Sequence, residues 1–442
     1  MDGTFDLIVS GGTVMLPGGS AVTDVGVRGG KVAAIGALRS GAAEVLDASG
    51  LHVLPGVIDT QVHFREPGLE HKEDLATGST AAVLGGVTAV FEMPNTKPPT
   101  CTPEALADKL VRAEGRMWCD HAFFIGASPG NAGDLGAWER LPGCAGIKVF
   151  MGSSTGSLLV ESDDDLARVL ASGFRRVAVH CEDEARLRER HRLVDGGADP
   201  ASHPEWRDAE TALAATRRLL RLAQAARRRV HVLHVTTAEE MDLLREHRDL
   251  ATVEVTPQHL TLAAPECYRR LGTRAQMNPP IRDERHRRAL WQALADGVVD
   301  CLGSDHAPHT LEEKSRPYPA TPSGMPGVQT LLPVMLDHVA AGRLTLERLV
   351  DLTSAGPARL YAIAGKGRIA AGHDADFTLV DLKAERDITR DWLASRCGWS
   401  PFEGMRVRGW PVATVVRGAV VMRDGALIGS PGGRPIRFQE GL

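Results

Sequence analysis

Between residues 52 and 365 the chain alternates short apolar segments with helical ones, and this rhythm limits the fold more than any other feature. Eight candidate strands stand out: 53–64, 89–93, 121–126, 146–150, 176–181, 230–235, 252–256 and 299–304. Most are near-continuous apolar runs, as expected of strands buried on both faces. Helical patterns lie between most of them, at 102–116, 208–227, 238–245 and 283–295. Such alternation builds a parallel sheet, either closed into a (β/α)8 TIM-like barrel or left open and doubly wound. No glycine fingerprint of a dinucleotide fold follows the first strand, and the barrel is the expected fold. The fold class is therefore α/β.

The flanks have a different texture. Phe5-Asp6-Leu7-Ile8-Val9-Ser10 precedes paired glycines, and Gly29-Gly30 separates two further alternating runs. Near the other end, Asp376-Phe377-Thr378-Leu379-Val380-Asp381 and the stretch from Val415 to Val421 read as strands, with Asp424-Gly425 as a hairpin turn. Neither flank alone is large enough to bury a stable core. The expected arrangement is a small composite β-sandwich from residues 1–54 and 366–442, with a barrel of residues 55–365 inserted between.

Composition excludes several classes. Of 442 residues, 43% are hydrophobic and 24% charged, which is ordinary for a globular chain. No apolar run approaches the ~20 residues of a membrane helix. A net charge of −5 leaves no basic footprint for nucleic acid. Arg227-Arg228-Arg229 is too short for a binding tract and is expected at a helix C-terminus or in solvent. Seven cysteines without a CxxC pair read as reduced, mostly buried thiols. The start, from Met1 to Asp6, lacks the basic and apolar regions of a signal peptide, and a cytoplasmic location is expected.

In a barrel, chemistry gathers at the C-terminal ends of the strands. Here those ends carry His63, Lys148, His180, His234 and Asp305. A single strand-end histidine is usually structural, and an aspartate there can merely cap a helix. A lysine inside an apolar strand is harder to explain, because an unpaired buried ammonium is costly. Five such groups from different strands at one barrel mouth point to a metal hydrolase, since imidazole and carboxylate suit Zn²⁺ and similar ions.

Several segments carry a resemblance: Pro55-Gly56-Val57-Ile58-Asp59, His63-Phe64-Arg65-Glu66-Pro67-Gly68, Met93-Pro94-Asn95-Thr96 and Ser304-Asp305-His306-Ala307-Pro308-His309. Over nearly its whole length the chain resembles the amidohydrolase superfamily and, within it, the dihydroorotases. The segment from Gly146 to Gly156 resembles the branch whose lysine is carboxylated by CO₂. The resemblance implies a (β/α)8 barrel with a β-sandwich from both termini. It implies one or two Zn²⁺ ions, with His63 and Asp305 on the first metal, His180 and His234 on the second, and carboxylated Lys148 between them. Asp305 would also be the catalytic proton carrier. Arg65 and Asn95, assisted by His309, would hold the substrate carboxylate, and Asn278 would contact the pyrimidine ring. The implied reaction interconverts N-carbamoyl-L-aspartate and (S)-dihydroorotate in pyrimidine biosynthesis. The implied partners are the small-molecule substrate, a second copy in a homodimer, and aspartate carbamoyltransferase.

Ordinary readings stand beside these roles. Arg65 could pair with Glu66 or Glu70, and Asn278 could shape a turn before Pro279. Two departures from the family pattern matter. Gln61-Val62-His63 replaces the usual His-x-His, and an amide is a weaker ligand than imidazole. The first metal is therefore expected to bind less tightly, unless Gln61 instead hydrogen-bonds groups around the site. His259, in Thr256-Pro257-Gln258-His259, is expected to be structural. Competing functions are a hydantoinase or allantoinase, which needs no cation for a carboxylate, and a non-catalytic partner of aspartate carbamoyltransferase. Finally, the Pro- and Gly-rich segment 310–327 is expected to lie over the mouth, with backbone near Gly324 and Pro326 touching the substrate ring.

Overall fold

The computed structural model describes residues 4–38, 41–153 and 158–439. Met1 to Gly3, and Ser154 to Gly156 of the lysine motif, lie outside the described residues. Five strands come first: β1 (Phe5–Leu16), β2 (Gly19–Arg28), β3 (Lys31–Gly36), β4 (Ala42–Asp47) and β5 (His52–Pro55). Eight more alternate with helices: β6 (Val57–Val62), β7 (Val87–Glu92), β8 (Asp120–Gly126), β9 (Cys144–Phe150), β10 (Val177–His180), β11 (Val230–Val232), β12 (Ala251–Val255) and β13 (Cys301–Leu302). The last four are β14 (Phe377–Asp387), β15 (Arg406–Val416), β16 (Ala419–Arg423) and β17 (Ala426–Leu427).

Strands β6 to β13 form one parallel sheet in sequence order. It closes between its two edges, where Val62 bridges His306 and the His63 N–H donates to the His306 carbonyl at 2.7 Å. The fold is thus the expected barrel rather than an open sheet. Side chains alternate as the pleat demands. Val177 and Val179 pack with helix residues such as Leu166 and Leu219, while Ala178 between them joins a core inside the barrel. That inner core is floored by Tyr361, Ile363, Ile436 and Phe438. The floor is stitched to β8, where the His121 N–H donates to Arg434 O and the Ile436 N–H to His121 O, at 3.1 and 2.8 Å.

The flanking strands form one nine-stranded mixed sheet, in which β5 lies between β1 and β14. Its core takes Val9, Val14 and Val27 from one flank and Phe377, Leu379 and Val415 from the other. The expected β structure from both flanks is thus present as one continuous mixed sheet. The turns follow their sequences: Gly29-Gly30 and Asp424-Gly425 all have positive φ, as a two-residue type I′ hairpin requires.

The candidate strand 53–64 is two strands in different sheets. Gly56 marks the crossing, and its N–H donates to Asp376 O at 2.8 Å. A Cβ there would lie 2.3 Å from Thr88 Oγ1, so only glycine lets the chain pass. Beside this crossing the buried Lys366 ammonium ties barrel to sheet, meeting Asp120 at 2.6 Å and Asp374 at 3.2 Å, with Asp376 closer still.

The arginine run lies at a helix C-terminus, as expected, but one of its members is not solvated. Arg227 ends the helix Ala209–Ala226 in the left-handed conformation, but Arg228 is buried and donates to Glu139 at 2.6 Å. All seven cysteines are free, and all but Cys101 are buried. Among the described residues, no helix is long and apolar enough to cross a membrane.

Candidate active site

The C-terminal ends of the barrel strands surround a narrow cavity. Gln61, His63, Arg65, Asn95, Lys148, His180, His234, Asn278 and Asp305 all line it. Three of them, Arg65, His234 and Asp305, have positive φ (66°, 36° and 42°). Such backbone is strained for residues with a Cβ, and it collects at sites where side-chain aim matters more than local stability. The kinks also account for early strand endings. Regular pairing stops at Val232 and Leu302, and the chain then turns to present His234 and Asp305.

The candidate ligand atoms fall into two pairs. His63 Nε2 lies 3.1 Å from Asp305 Oδ1, and His180 Nδ1 lies 3.0 Å from His234 Nε2. Each pair is held from behind. His63 Nδ1 meets Asn95 Oδ1 at 2.7 Å, and His180 Nε2 meets Glu182 Oε2 at 2.9 Å. Glu182 is in turn clamped by Arg207, whose Nε donates at 3.0 Å. Burial pushes the Glu182 pKa upward, but Arg207 and His180 hold it well below the usual carboxylate range. Burial lowers the pKa of His63 and His180, and lowers that of His234 further still. These imidazoles are therefore neutral, the form that binds metal.

Lys148 is buried at the same mouth. Its Nζ has no hydrogen-bond partner, and burial alone brings its pKa down to about 7. Other buried lysines are satisfied: Lys109 by Glu92, Lys366 by its three aspartates, and Lys314 by three carbonyls. His234 Nδ1 and Gln61 Oε1 are likewise buried without partners. Unsatisfied polar atoms are uncommon in protein interiors, and their concentration at this one cavity fits a place built to hold a bound group; His234 and Gln61 offer acceptor atoms to a cation there. Gln61 is engaged through its other end, where Nε2 donates to Asp305 Oδ1 at 3.1 Å.

Arg65 is aimed into the cavity. Its Nε donates to Pro308 O at 3.2 Å and its Nη2 lies 3.3 Å from His309 Nε2, while Nη1 is buried and unpartnered. It makes no pair with Glu66, which instead takes Arg116 at 2.7 Å. Asn278 reaches the cavity edge with its Oδ1 3.0 Å from His203 Nε2. His309 lies behind Arg65 and does not line the cavity; Ser323 O and Lys72 Nζ are 3.0 and 3.1 Å from its ring nitrogens. His259 bonds Thr256 and Pro279 O and lies outside the lining.

Segment 310–327 does cross the mouth. Ser323 and Gly324 line the cavity, whereas Pro326 does not. Lys314 holds the segment in place, donating to Gln276 O, Pro322 O and Gly324 O at 2.9–3.2 Å. The sequence gives no sign of this clamp, nor of Arg207. Lys314→Met leaves Pro322 O and Gly324 O without a donor, while Gln276 O keeps the Gly324 N–H. It should lower stability by ~1–3 kcal/mol in thermal unfolding and raise KM more than it lowers kcat.

Residues 52–421 match the amidohydrolase family. A dihydroorotase of Halobacterium salinarum is 38% identical over 94% of this chain and 97% of its own length. An allantoinase of Rubrobacter xylanophilus is also 38% identical, covering 99% and 98%. An L-hydantoinase from Arthrobacter aurescens superposes with a TM-score of 0.92 at 32% identity, over 98% of this chain and 99% of that one. With the closed barrel and the paired side chains at its mouth already in view, this chain belongs to the amidohydrolase family.

Proposed function

We propose that this protein is a metal-dependent dihydroorotase, interconverting (S)-dihydroorotate and N-carbamoyl-L-aspartate. The observation that carries the choice of substrate is Arg65. Its guanidinium is buried beside the ligand pairs, keeps its charge with a pKa of about 10, and has Nη1 unpartnered. A buried cation at a cavity wall matches a substrate carboxylate. Neither hydantoin nor allantoin carries one.

In this reading His63 and Asp305 hold one metal and His180 and His234 the other, with Zn²⁺ the best fit to these donors. Lys148 lies between the pairs. At a pKa of about 7 much of its amine is neutral at physiological pH, and the neutral amine can add to CO₂. The N–C bond forms, one proton leaves to solvent, and the resulting carbamate is an anionic oxygen ligand. A metal held by these residues would lower the pKa of water and polarise the ring amide carbonyl. Asp305 Oδ1 is occupied by Gln61 and His63. Oδ2 then takes the proton of the attacking water and passes it to the ring nitrogen as the C–N bond breaks. Arg65 and Asn95 fix the carboxylate and so orient the ring.

The test is hydrolysis by metal-loaded protein of dihydroorotate, hydantoin and allantoin side by side. A preference for dihydroorotate of ~100-fold or more in kcat/KM supports the reading. Equal or better turnover of an uncharged ring would overturn it. Gln61→His adds an imidazole beside His63 and Asp305. It should tighten the first metal by ~10-fold or more, about 1.4 kcal/mol, as read by calorimetric titration.

A further inference from the structure

We propose that His231, Glu254 and Cys301 form a second divalent-metal site, inside the barrel below the catalytic cavity and suited to zinc. The three come from the adjacent strands β11, β12 and β13, with Glu254 and Cys301 directly paired in register. All are fully buried. Cys301 Sγ lies 3.7 Å from His231 Nε2 and 3.9 Å from Glu254 Oε2, and the last two are 3.7 Å apart. Tetrahedral zinc with bonds of ~2.0–2.3 Å separates its ligand atoms by about 3.4–3.6 Å. A shift of a few tenths of an ångström would close the site.

Three further features point to an ion. Thr252 Oγ1 lies 2.9 Å from His231 Nδ1 and itself donates to Val230 O. The imidazole therefore donates from Nδ1, and its Nε2 lone pair faces the other two groups. This is the backing that orients metal-bound histidines. Next, Glu254 Oε2 accepts from Thr60, but Oε1 has no partner. Among the described residues no lysine or arginine pairs with this carboxylate. A divalent ion would give this carboxylate the cation it lacks, as the third ligand beside the imidazole and the thiolate. Last, burial pushes the Cys301 thiol far up, so without a cation it stays protonated. Ion binding releases that proton to solvent and leaves a site of zero net charge: one thiolate, one carboxylate, a neutral imidazole and M²⁺. The other buried carboxylate cluster, Asp120, Asp374 and Asp376, lacks this potential because the Lys366 ammonium already occupies it.

The proposal is independent of the substrate assigned above. No cysteine lines the catalytic cavity, so sulfur ligation is a private signature of the lower site. The protein is produced in cobalt-supplemented medium, so that the ion is present as the barrel closes. Expected are a near-ultraviolet thiolate-to-cobalt charge-transfer band and a cobalt–sulfur shell in X-ray absorption of the wild type. Cys301→Ala should lose both, with one equivalent of metal per chain. Lys148→Ala should keep the band while losing catalytic metal. A wild type whose cobalt has no sulfur neighbour overturns the proposal even if Cys301→Ala fails to fold. So does a band that survives in Cys301→Ala.

Discussion

Lys148→Ala should reduce kcat for dihydroorotate by at least ~10³-fold, with loss of metal from the catalytic cavity. Removing a single preorganised electrostatic group from an active site commonly costs 10²–10³ in kcat, and in the proposed reading the substitution also removes the bridging ligand. The fold should survive, because the Lys148 amine makes no hydrogen bond whose loss would strand a partner. Short carboxylic acids such as acetate, entering the vacated space, should restore part of both metal content and rate. The wild type gives a companion result in pH. With the amine pKa near 7, the neutral form that adds CO₂ dominates above that value and the ammonium below it. Chelated protein reloaded with metal and bicarbonate should therefore recover fully a unit above this pKa and poorly a unit below. An alanine variant with full metal and wild-type kcat would refute the bridging role.

Arg65→Gln should lower kcat/KM for dihydroorotate by ~10²–10⁴-fold while changing turnover of an uncharged cyclic amide far less. This range, about 2.7–5.5 kcal/mol, brackets the ~3–5 kcal/mol lost when one member of a buried charge pair is removed. The contrast between substrates is the informative reading. A fall shared equally by both would assign Arg65 to holding the 308–309 backbone, through its bond to Pro308 O, rather than to binding a carboxylate. Arg65→Lys should recover little, because an ammonium cannot reproduce a two-nitrogen fork.

The strand and helix rhythm was readable because its physical cause is local: apolar β-branched runs between capped helices. The helix at 238–245 is reproduced as Ala238–Arg245, capped by the Thr237 side chain. The division of 53–64 was not readable, because the apolar run continues through Gly56 and only the packing of Thr88 and Asp376 shows why the chain must cross there. At the cavity, the strand-end residues were visible as polar groups ending apolar runs. Their supports were not. Glu182 shares the inward parity of His180 two residues away, which is a usable signal. Arg207 and Lys314 arrive from helices and loops, where an arginine or lysine in sequence looks like any solvated charge. The backbone kinks at Arg65, His234 and Asp305 carry no sequence mark, since none is glycine.

The floor of the barrel has a consequence for how the protein is made. A chain emerging from the ribosome folds N-terminal parts first, at ~5–20 residues per second. All eight barrel strands are complete by residue 302, yet Ile436 and Phe438 seal their lower end, and strands β14 to β17 of the outer sheet come only after residue 376. The nascent barrel must therefore wait, its inner apolar layer open at one end, while more than a hundred further residues are added. During that wait β5 lacks β14, its neighbour in the finished sheet. Chaperone dependence should accordingly concentrate while residues 303–438 are being made, and slowed synthesis there should reduce yield more than slowing anywhere earlier.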